Sequence, residues 1–476
     1  MSMQRVIALV GRPNVGKSTL FNRLTRTRNA LVSDFPGLTR DRQYGIGRVG
    51  ERPYIVVDTG GLSGDTDGVE VFMQQQVQLA LEEASAVFFL VDARDGLVPH
   101  DQVIAEKVRA LNKPVFLLVN KAEGLSHATV AADFYALGLG EPIAISSAHG
   151  ENVTSLMHDV LDSLGVSDEE EASLKTLAPG IRIAVVGRPN VGKSTLINRM
   201  VGEERVIAFD MPGTTRDSIF VPFERDDQQY TLIDTAGIRR RARVNDMIEK
   251  FSVIKAIQAM EAAHVVIVVL DGSEGITDQD LHLVGMALDS GRGLVLAVNK
   301  WDGLSKDQRE DIKRQIDLRL SFVSYAEHHF ISALHGTGVG LLLGMVKQVY
   351  TAATRTLPTP ALTRVLQESL LVHQPPLVRG RRVKMRYAHT GGHNPPIIVV
   401  HGNQLDDMPA AYTRFLEQRF RKAFDLYGTP VRIEYKTSEN PFADKKNELS
   451  DRQIKRKKRL ISFAKHSEKQ KKRKNR

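Results

Sequence analysis

Two segments of this 476-residue chain have the spacing of a phosphate-binding loop, G-x-x-x-x-G-K-S. The glycines let successive backbone N–H groups turn toward phosphate oxygens, the lysine can reach the β- and γ-phosphates, and the final hydroxyl can ligate Mg²⁺. The predicted nucleotide contacts are Gly11, Arg12, Pro13, Asn14, Val15, Gly16, Lys17, Ser18 and Thr19 in the first loop, and Gly187, Arg188, Pro189, Asn190, Val191, Gly192, Lys193, Ser194 and Thr195 in the second. Two matches in similar context are not expected by chance.

A D-x-x-G segment follows each loop at the same distance. Its aspartate can hold the magnesium shell, and its glycine N–H can bond the γ-phosphate. A threonine between loop and D-x-x-G can bring a hydroxyl to the same metal when triphosphate is bound, so losing that phosphate would release both segments. The predicted metal ligands are Ser18, Thr39, Asp58, Ser194, Thr215 and Asp234, and the other predicted contacts here are Thr59, Gly60, Gly61, Leu62, Thr235, Ala236, Gly237 and Ile238.

The segment NKWD at 299–302 predicts guanine rather than adenine. Asp302 can accept from the guanine N1–H and exocyclic amine, Asn299 can bond the base, and the stem of Lys300 can cover its face. The first copy reads NKAE, and the extra methylene of Glu123 makes guanine discrimination less secure there. The predicted base contacts, with backbone N–H groups from SSA (146–148) and SAL (332–334), are Asn120, Lys121, Ala122, Glu123, Ser147, Ala148, Asn299, Lys300, Trp301, Asp302, Ser332 and Ala333.

The elements that must position these motifs also occur twice. GRPNVGKSTLFNRL at 11–24 recurs as GRPNVGKSTLINRM at 187–200, and the later motifs recur in the same order. Apolar runs such as VIALV and PVFLLVN alternate with helix-length segments, which is typical of βαβ units and a parallel sheet covered on both faces. We predict an α/β chain with two P-loop domains of mainly parallel sheet, at 1–165 and 181–354, joined by an acidic linker at 166–180.

The pattern changes near residue 355 and predicts a third domain. Residues 383–387 and 431–436 alternate apolar and charged side chains at strand period. One helical face between them carries Tyr412, Phe415, Leu416, Phe420, Ala423, Phe424 and Tyr427. We predict a small α+β domain of three strands and two helices at 355–440, and a basic, disordered tail at 441–476.

Charge is concentrated in that tail. The chain has a formal net charge of +9, whereas residues 451–476 carry 13 Lys or Arg against Asp451 and Glu468. This pattern indicates either an arm for a polyanion such as RNA or a solubilising tail. The absence of cysteine excludes disulfides and thiolate metal sites. With neither a secretory signal nor an 18-residue apolar run, we expect a cytoplasmic chain without a membrane span.

The paired motifs and the small C-terminal domain resemble the Der (EngA) family of bacterial tandem GTPases, of the Era-like class. RRVKMRYAHTGGHNPPIIVVHGN at 381–403 looks like that family's KH-like domain. The resemblance implies binding of GTP and GDP with Mg²⁺, hydrolysis of GTP, association with the large (50S) ribosomal subunit and its RNA, and a role in late assembly; we expect a monomer. The chain departs from the pattern at Glu123 and in lacking a G-x-x-G loop between Leu357 and Asn440. The third domain therefore either binds RNA in another way or packs against the GTPase domains.

Catalysis leaves two alternatives open. Where many GTPases keep a glutamine to orient water, this chain has Leu62 and Ile238. Either a partner supplies the missing group, or, as the family resemblance implies, a potassium ion held partly by the P-loop asparagine neutralises developing charge. The predicted catalytic residues are Asn14, Lys17, Thr39, Gly61, Asn190, Lys193, Thr215 and Gly237.

Two further alternatives concern partners. RRRAR at 239–243 is either a solvated surface or a switch-controlled contact. The chain as a whole is either an enzyme that times its release from ribosomal RNA or a GTP-controlled binding module on a membrane surface or partner protein. The tail offers only Leu460, Ile461 and Phe463 as an apolar anchor, which favours RNA.

Overall fold

A computed structural model describes residues 5–25, 44–50, 54–59, 81, 84–125, 130–164, 180–202, 219–234, 253–377, 380, 382–405 and 408–437. The predicted linker, apart from Gly180, and the predicted tail lie outside this range, as does RRRAR. The domain boundaries given above stay predictions. None of the helices within the described ranges has the length and apolar character to cross a membrane.

The first sheet positions the first phosphate loop, which follows its first strand. Its strands are β1 (Val6–Val10), β2 (Tyr44–Gly47), β3 (Tyr54–Asp58), β4 (Ala86–Asp92), β5 (Val115–Asn120) and β6 (Ile143–Ala144). Its helices are α1 (Lys17–Thr25), α2 (Pro99–Arg109) and α3 (Val153–Ser163), with a 3₁₀ helix at Ala132–Leu137. The strand order is β2-β3-β1-β4-β5-β6, with only β2 antiparallel to its neighbour. Every residue of β4, AVFFLVD, is buried, as a strand covered on both faces requires.

The second sheet repeats this arrangement. Its strands are β7 (Ile181–Gly187), β8 (Ile219–Arg225), β9 (Gln228–Asp234), β10 (Val265–Asp271), β11 (Gly293–Asn299) and β12 (His328–Phe330). Its helices are α4 (Lys193–Val201), α5 (Val253–Ala262), α6 (Asp278–Ser290), α7 (Lys306–Arg319) and α8 (Val339–Thr354), with 3₁₀ helices at Trp301–Gly303 and Ser321–Val323. The order β8-β9-β7-β10-β11-β12 matches that of the first sheet. The predicted pair of mainly parallel α/β domains is confirmed.

The third sheet has three strands, as predicted. The elements are α9 (Thr359–Val372), β13 (Lys384–Gly392), β14 (Ile397–Asn403), α10 (Ala410–Ala423) and β15 (Arg432–Thr437). Strand β14 is central, antiparallel to β13 and parallel to β15. Leu366 of α9, and Leu416 and Phe420 of α10, are fully buried against the sheet. The α+β prediction for this region is confirmed.

The C-terminal end of α6 joins described parts of all three domains. Arg48 Nη2 donates to Asp289 O at 3.1 Å, and Arg432 Nη2 donates to the same oxygen at 2.6 Å. Positive charge is favourable at a helix C-terminus, where carbonyl groups lack intrahelical partners. Leu294 N also donates to Gly428 O at 2.7 Å, which extends the contact between the second and third domains.

Two candidate nucleotide sites

Both phosphate loops connect the carboxyl end of a central strand to the start of a helix, β1 to α1 and β7 to α4. Gly16 and Gly192, each with φ of +97°, adopt a conformation that disfavours other residues. A Cβ atom at either would collide with the side-chain amide of Asn120 or Asn299. The second glycine of each loop is therefore required both by backbone conformation and by close packing.

The P-loop lysines are buried inside these loops. Lys17 Nζ donates to Gly11 O at 2.7 Å and to Arg12 O at 2.8 Å, and Lys193 Nζ donates to Arg188 O at 2.7 Å. Burial lowers the pKa of Lys17, and the charge of Asp58 acts in the opposite direction. The ammonium groups are thus held inside the loops by backbone carbonyl oxygens, and their predicted contact with phosphate stays a prediction.

Two predicted magnesium ligands of the first site lie in contact. Ser18 Oγ donates to Asp58 Oδ2 at 2.7 Å. Hydroxyl and carboxylate oxygens are ligands that suit Mg²⁺, so this donor set fits the ion. Thr59 Oγ1 instead donates to Leu9 O at 2.6 Å, which anchors the segment to β1. No group of three or more His, Asp or Glu side chains in the described residues forms a separate metal site.

In the second site, Ser194 lies in the first turn of α4 and Asp234 ends β9. Several predicted contacts lie outside the described residues, so their roles stay predictions: Thr39, Gly60, Gly61, Leu62, Thr215, Thr235, Ala236, Gly237 and Ile238.

The segments predicted to contact the base, NKAE with SSA in the first copy and NKWD with SAL in the second, are called the base loops. An asparagine in each base loop bonds to the phosphate loop of the same copy. Asn120 Nδ2 donates to Val15 O at 2.7 Å, and Asn120 Oδ1 accepts from Ser147 N at 2.9 Å. The same bonds, at 2.7 and 2.9 Å, recur for Asn299, Val191 and Ala333. Sequence reasoning assigned the asparagine to the base; the structure adds that both ends of its amide bond to the backbone.

The lysine after each asparagine is held by a strand-end aspartate. Lys121 Nζ lies 2.5 Å from Asp92 Oδ2, and Lys300 Nζ lies 2.5 Å from Asp271 Oδ2. The ion pair holds the aliphatic stem of each lysine, and for Lys300 this is the stem predicted to cover the base. Sequence reasoning missed these aspartates, although each occupies the same place in a repeated segment, FLVDARDGL and VVLDGSEGI.

A buried aspartate steadies the arginine of each phosphate loop. Arg12 Nε lies 3.5 Å from Asp101 Oδ1, and Arg188 Nε lies 2.9 Å from Asp280 Oδ1. Both aspartates are fully buried in the first turn of the helix after β4 or β10. Breaking a buried pair on one side leaves an uncompensated charge, so these contacts constrain the loops.

A second arginine, also missed, holds each base loop. Arg23 Nε on α1 donates to Ser147 O at 2.5 Å, and its Nη2 donates to Ala148 O. Arg199 Nη2 on α4 donates to Leu334 O at 2.5 Å. Because both helices begin at the phosphate loops, these bonds join the two ends of each candidate site.

The carboxylates predicted to read guanine have different neighbours. Glu123 Oε1 lies 2.6 Å from Arg94 Nη2, whereas Asp302 Oδ2 lies 3.2 Å from His335 Nε2. The pKa of Glu123 is lowered mainly by hydrogen bonding from its own backbone N–H and then from Ser146. Hydrogen bonding, first from a serine side chain and then from its own N–H, lowers the pKa of Asp302. Both groups are therefore ionised acceptors at neutral pH.

Comparison with known proteins agrees with this geometry. The family described as "50S ribosome-binding GTPase" matches residues 6–121 and 182–300, and the family described as "KH-domain-like of EngA bacterial GTPase enzymes, C-terminal" matches residues 356–436. A protein named GTPase Der from Thioalkalivibrio sulfidiphilus is 58% identical over 463 residues, covering 97% of this chain and 100% of the relative. The chain belongs to the Der family of GTPases. GTPase Der from Methylococcus capsulatus is 57% identical over 466 residues, with 97% and 100% covered.

As a Der-family member, the chain is a P-loop GTPase that binds GTP and GDP and hydrolyses GTP. The expectation drawn from the paired motifs is confirmed at this level. A crystal structure of Aquifex aeolicus Era bound to GDP and AlF₄⁻ is 20% identical and covers 68% of this chain and 100% of that one. Its TM-score is 0.30, too low to bear on function.

Proposed function

We propose that this Der-family GTPase acts as a monomer in the cytoplasm in assembly of the large ribosomal subunit, and that nucleotide state controls its association with ribosomal RNA and protein. Support comes from a family match described as a ribosome-binding GTPase and from a KH-like domain bonded to the second GTPase domain. The observation that carries the proposal is helix α6, which contacts the second phosphate loop at one end and the KH-like domain at the other.

Helix α6 is a mechanical link between these regions. Asp280 in its first turn pairs with Arg188 of the phosphate loop, and Asp289 in its last turn accepts from Arg432 of the KH-like domain. A 13-residue helix is a stiff element about 20 Å long. Movement of the loop around a γ-phosphate would therefore be transmitted to the domain that we propose contacts RNA.

The outer face of the third sheet supports an RNA contact. Tyr387 is 42% exposed and stacks on His401 with ring centroids 4.5 Å apart and planes 6° apart. The exposed side chains of Lys384, Arg386 and Lys436 lie on the strands that flank β14. Aromatic rings that stack with bases, beside cations that contact phosphates, are a common way to bind single-stranded RNA. Such a face needs no G-x-x-G loop.

We propose that the predicted site residues act at both GTPase sites. Lys17 and Lys193 contact the β- and γ-phosphates, while Ser18 with Asp58, and Ser194 with Asp234, hold Mg²⁺ together with the predicted threonines 39 and 215. When bound, Mg²⁺ neutralises phosphate charge. We propose that potassium contacts Asn14 and Asn190, whose φ angles of +67° and +64° are alike. A comparison of GTP hydrolysis rates in potassium and in sodium distinguishes this ion from a catalytic group supplied by a partner.

Sedimentation of the wild type and of the Lys17→Ala and Lys193→Ala variants with purified ribosomal subunits tests the proposal. We expect the wild type to co-sediment with the large subunit in a nucleotide-dependent manner and each variant to lose part of that dependence. Anionic vesicles serve as the matched membrane surface and should not retain the protein. Equal wild-type sedimentation with GTP and GDP would contradict ribosomal switching, and binding to vesicles alone would favour a membrane scaffold.

A further inference from the structure

The two base-reading carboxylates differ in more than length. In the repeated segments FLVDARDGL and VVLDGSEGI, Arg94 of the first copy corresponds to Ser273 of the second. The first copy therefore combines a longer acid, Glu123, with a long cation, whereas the second combines the shorter Asp302 with a serine. Both differences between the copies, the longer acid and the long cation, thus occur at the first site.

The two residues that differ, Arg94 and Glu123, are in direct contact. Arg94 Nη2 lies 2.6 Å from Glu123 Oε1. The backbone N–H of Arg94 donates to Asp92 Oδ1 at 2.9 Å, and Asp92 also pairs with Lys121. The backbone of Arg94 is thus bonded to Asp92, the carboxylate that holds Lys121, and the side chain of Arg94 extends from there to Glu123.

Ser273 is anchored in the same way but acts differently. Asp271 Oδ1 accepts from Ser273 N at 2.8 Å and from Ser273 Oγ at 2.6 Å. The hydroxyl of Ser273 therefore bonds to Asp271, the strand-end aspartate. The carboxylate of Asp302 is instead set by its short side chain and by neighbours in the base loop, including His335 at 3.2 Å.

The length of the acid explains why the first site needs an additional contact. Glutamate has one more rotatable bond than aspartate, so holding its carboxylate in one position costs more conformational entropy. Guanine recognition requires the carboxylate to face the N1–H and the exocyclic amine together. A carboxylate offers about four acceptor positions, so an ion pair at Oε1 leaves positions for the base.

We propose that Arg94 is a positioning residue for guanine recognition at the first site. It holds Glu123 so that the longer side chain presents its carboxylate to the base, a placement that Asp302 achieves in the second site without an arginine. This inference rests on the proposed role of Glu123 as the base acceptor. The side chain of Arg94 is 61% exposed, so its replacement should preserve the fold.

The test compares GDP with inosine diphosphate, which lacks the exocyclic amine. Trp301 is the one tryptophan of the chain and lies in the second base loop, so its energy transfer to an N-methylanthraniloyl nucleotide reports the second site. Nucleotide fluorescence reports both sites together, and the difference gives the first. We expect Arg94→Ala to weaken GDP binding at the first site about fivefold, the upper range for an exposed ion pair, and to change inosine diphosphate binding much less.

Further variants complete the design. Arg94→Lys should retain part of the GDP preference because it keeps the charge. In a Glu123→Asp background, Arg94→Ala should have no effect, because the shorter acid does not need positioning. Ser273→Ala is the matched control at the second site and should leave the preference there unchanged.

Several outcomes would overturn the proposal. Tighter GDP binding in Arg94→Ala would mean that the arginine competes with guanine, and equal weakening of both nucleotides would mean a general structural role. If Glu123→Ala keeps the GDP preference, the proposed acceptor role fails and this inference fails with it. If Glu123→Ala loses the preference while Arg94→Ala keeps it, only the role of Arg94 fails.

Discussion

The first strand of each GTPase copy begins with the same bond made to different side chains. Val6 N donates to Ser85 Oγ at 3.1 Å, and Arg182 N donates to His264 Nδ1 at 3.1 Å. A serine hydroxyl does not titrate near neutral pH, whereas an imidazole does. The duplicated fold thus accepts either a hydroxyl or an imidazole at this position, and the imidazole adds a dependence on pH in the second copy.

The nucleotide sites show the same separation between what is kept and what varies. The asparagine bridge and the lysine–aspartate pair have matching distances in both copies. The base-reading acid differs between the copies, being Glu123 in the first and Asp302 in the second. The residue two positions after the strand-end aspartate also differs, being Arg94 in the first copy and Ser273 in the second. Contacts that shape the loops are duplicated, and contacts that tune the ligand are not, so the copies should share chemistry but differ in selectivity.

The largest expected effect comes from removing one phosphate-loop lysine at a time. Lys17→Ala and Lys193→Ala should each reduce hydrolysis at their own site by about 100-fold, the scale of losing one charge-stabilising donor. Steady-state GTP hydrolysis then assigns the remaining rate to the intact site. If either variant keeps the full wild-type rate, that site contributes no turnover.

The same variants test the proposed potassium ion at each site separately. The rate that remains in each should be higher in potassium than in sodium, because Asn14 and Asn190 share their backbone conformation. Equal rates in the two salts would favour a group supplied by a partner. A difference at one site only would show that the copies have diverged in catalysis as well as in selectivity.

A smaller effect is expected from His264→Ser, which gives the second copy the residue type of the first. Burial, then the charges of Arg182 and Arg292, lower the pKa of His264 from 6.5 to about 4. Because the folded pKa lies below the unfolded one, the contribution of His264 to the free energy of unfolding is complete above pH 6.5 and is lost progressively as pH falls from 6.5 to about 4. Allowing for partial exposure, we expect the loss of about 2 kcal/mol on acidification to disappear in the variant.

Urea unfolding followed by Trp301 fluorescence measures this effect in the second domain. The quantity compared is the difference in unfolding free energy between pH 7.5 and pH 4.5, so other groups that titrate cancel between the wild type and the variant. Ser85→Ala is the matched control and should leave that difference unchanged. An identical pH difference in wild type and His264→Ser would show that His264 is not the titrating group.

Much of the fold could be predicted because its signals are local. Continuous apolar runs such as β4 and strand-period alternation in β13 correspond directly to buried and half-buried strands. The phosphate loops carry their geometry in their glycines. The supporting residues could not be predicted in this way, since Arg23 acts on Ser147, which lies 124 positions away. Their recurrence in both copies was the available signal.

The asparagine of the base loop shows a different limit of sequence reasoning. Its side chain can donate and accept, so the sequence alone permits a bond to the base. The structure shows that Asn120 and Asn299 use both amide atoms to join two backbone segments. Which partner a side chain selects depends on where the chain brings distant carbonyl and N–H groups, and that is set by the tertiary fold.

The smallest expected effect should be of similar size in the two copies. Arg23→Met and Arg199→Met remove the bonds to the base loops while keeping much of the side-chain volume. We expect each to weaken GDP binding at its own site about fivefold, close to 1 kcal/mol for a hydrogen bond of this kind. Dissociation of N-methylanthraniloyl-GDP, with transfer from Trp301 to identify the second site, measures both. Because Arg23 and Arg199 bond to corresponding carbonyls, a loss confined to one copy would mean that the clamp is not a shared feature of the sites. A lower melting temperature with unchanged dissociation would instead assign these arginines to folding alone.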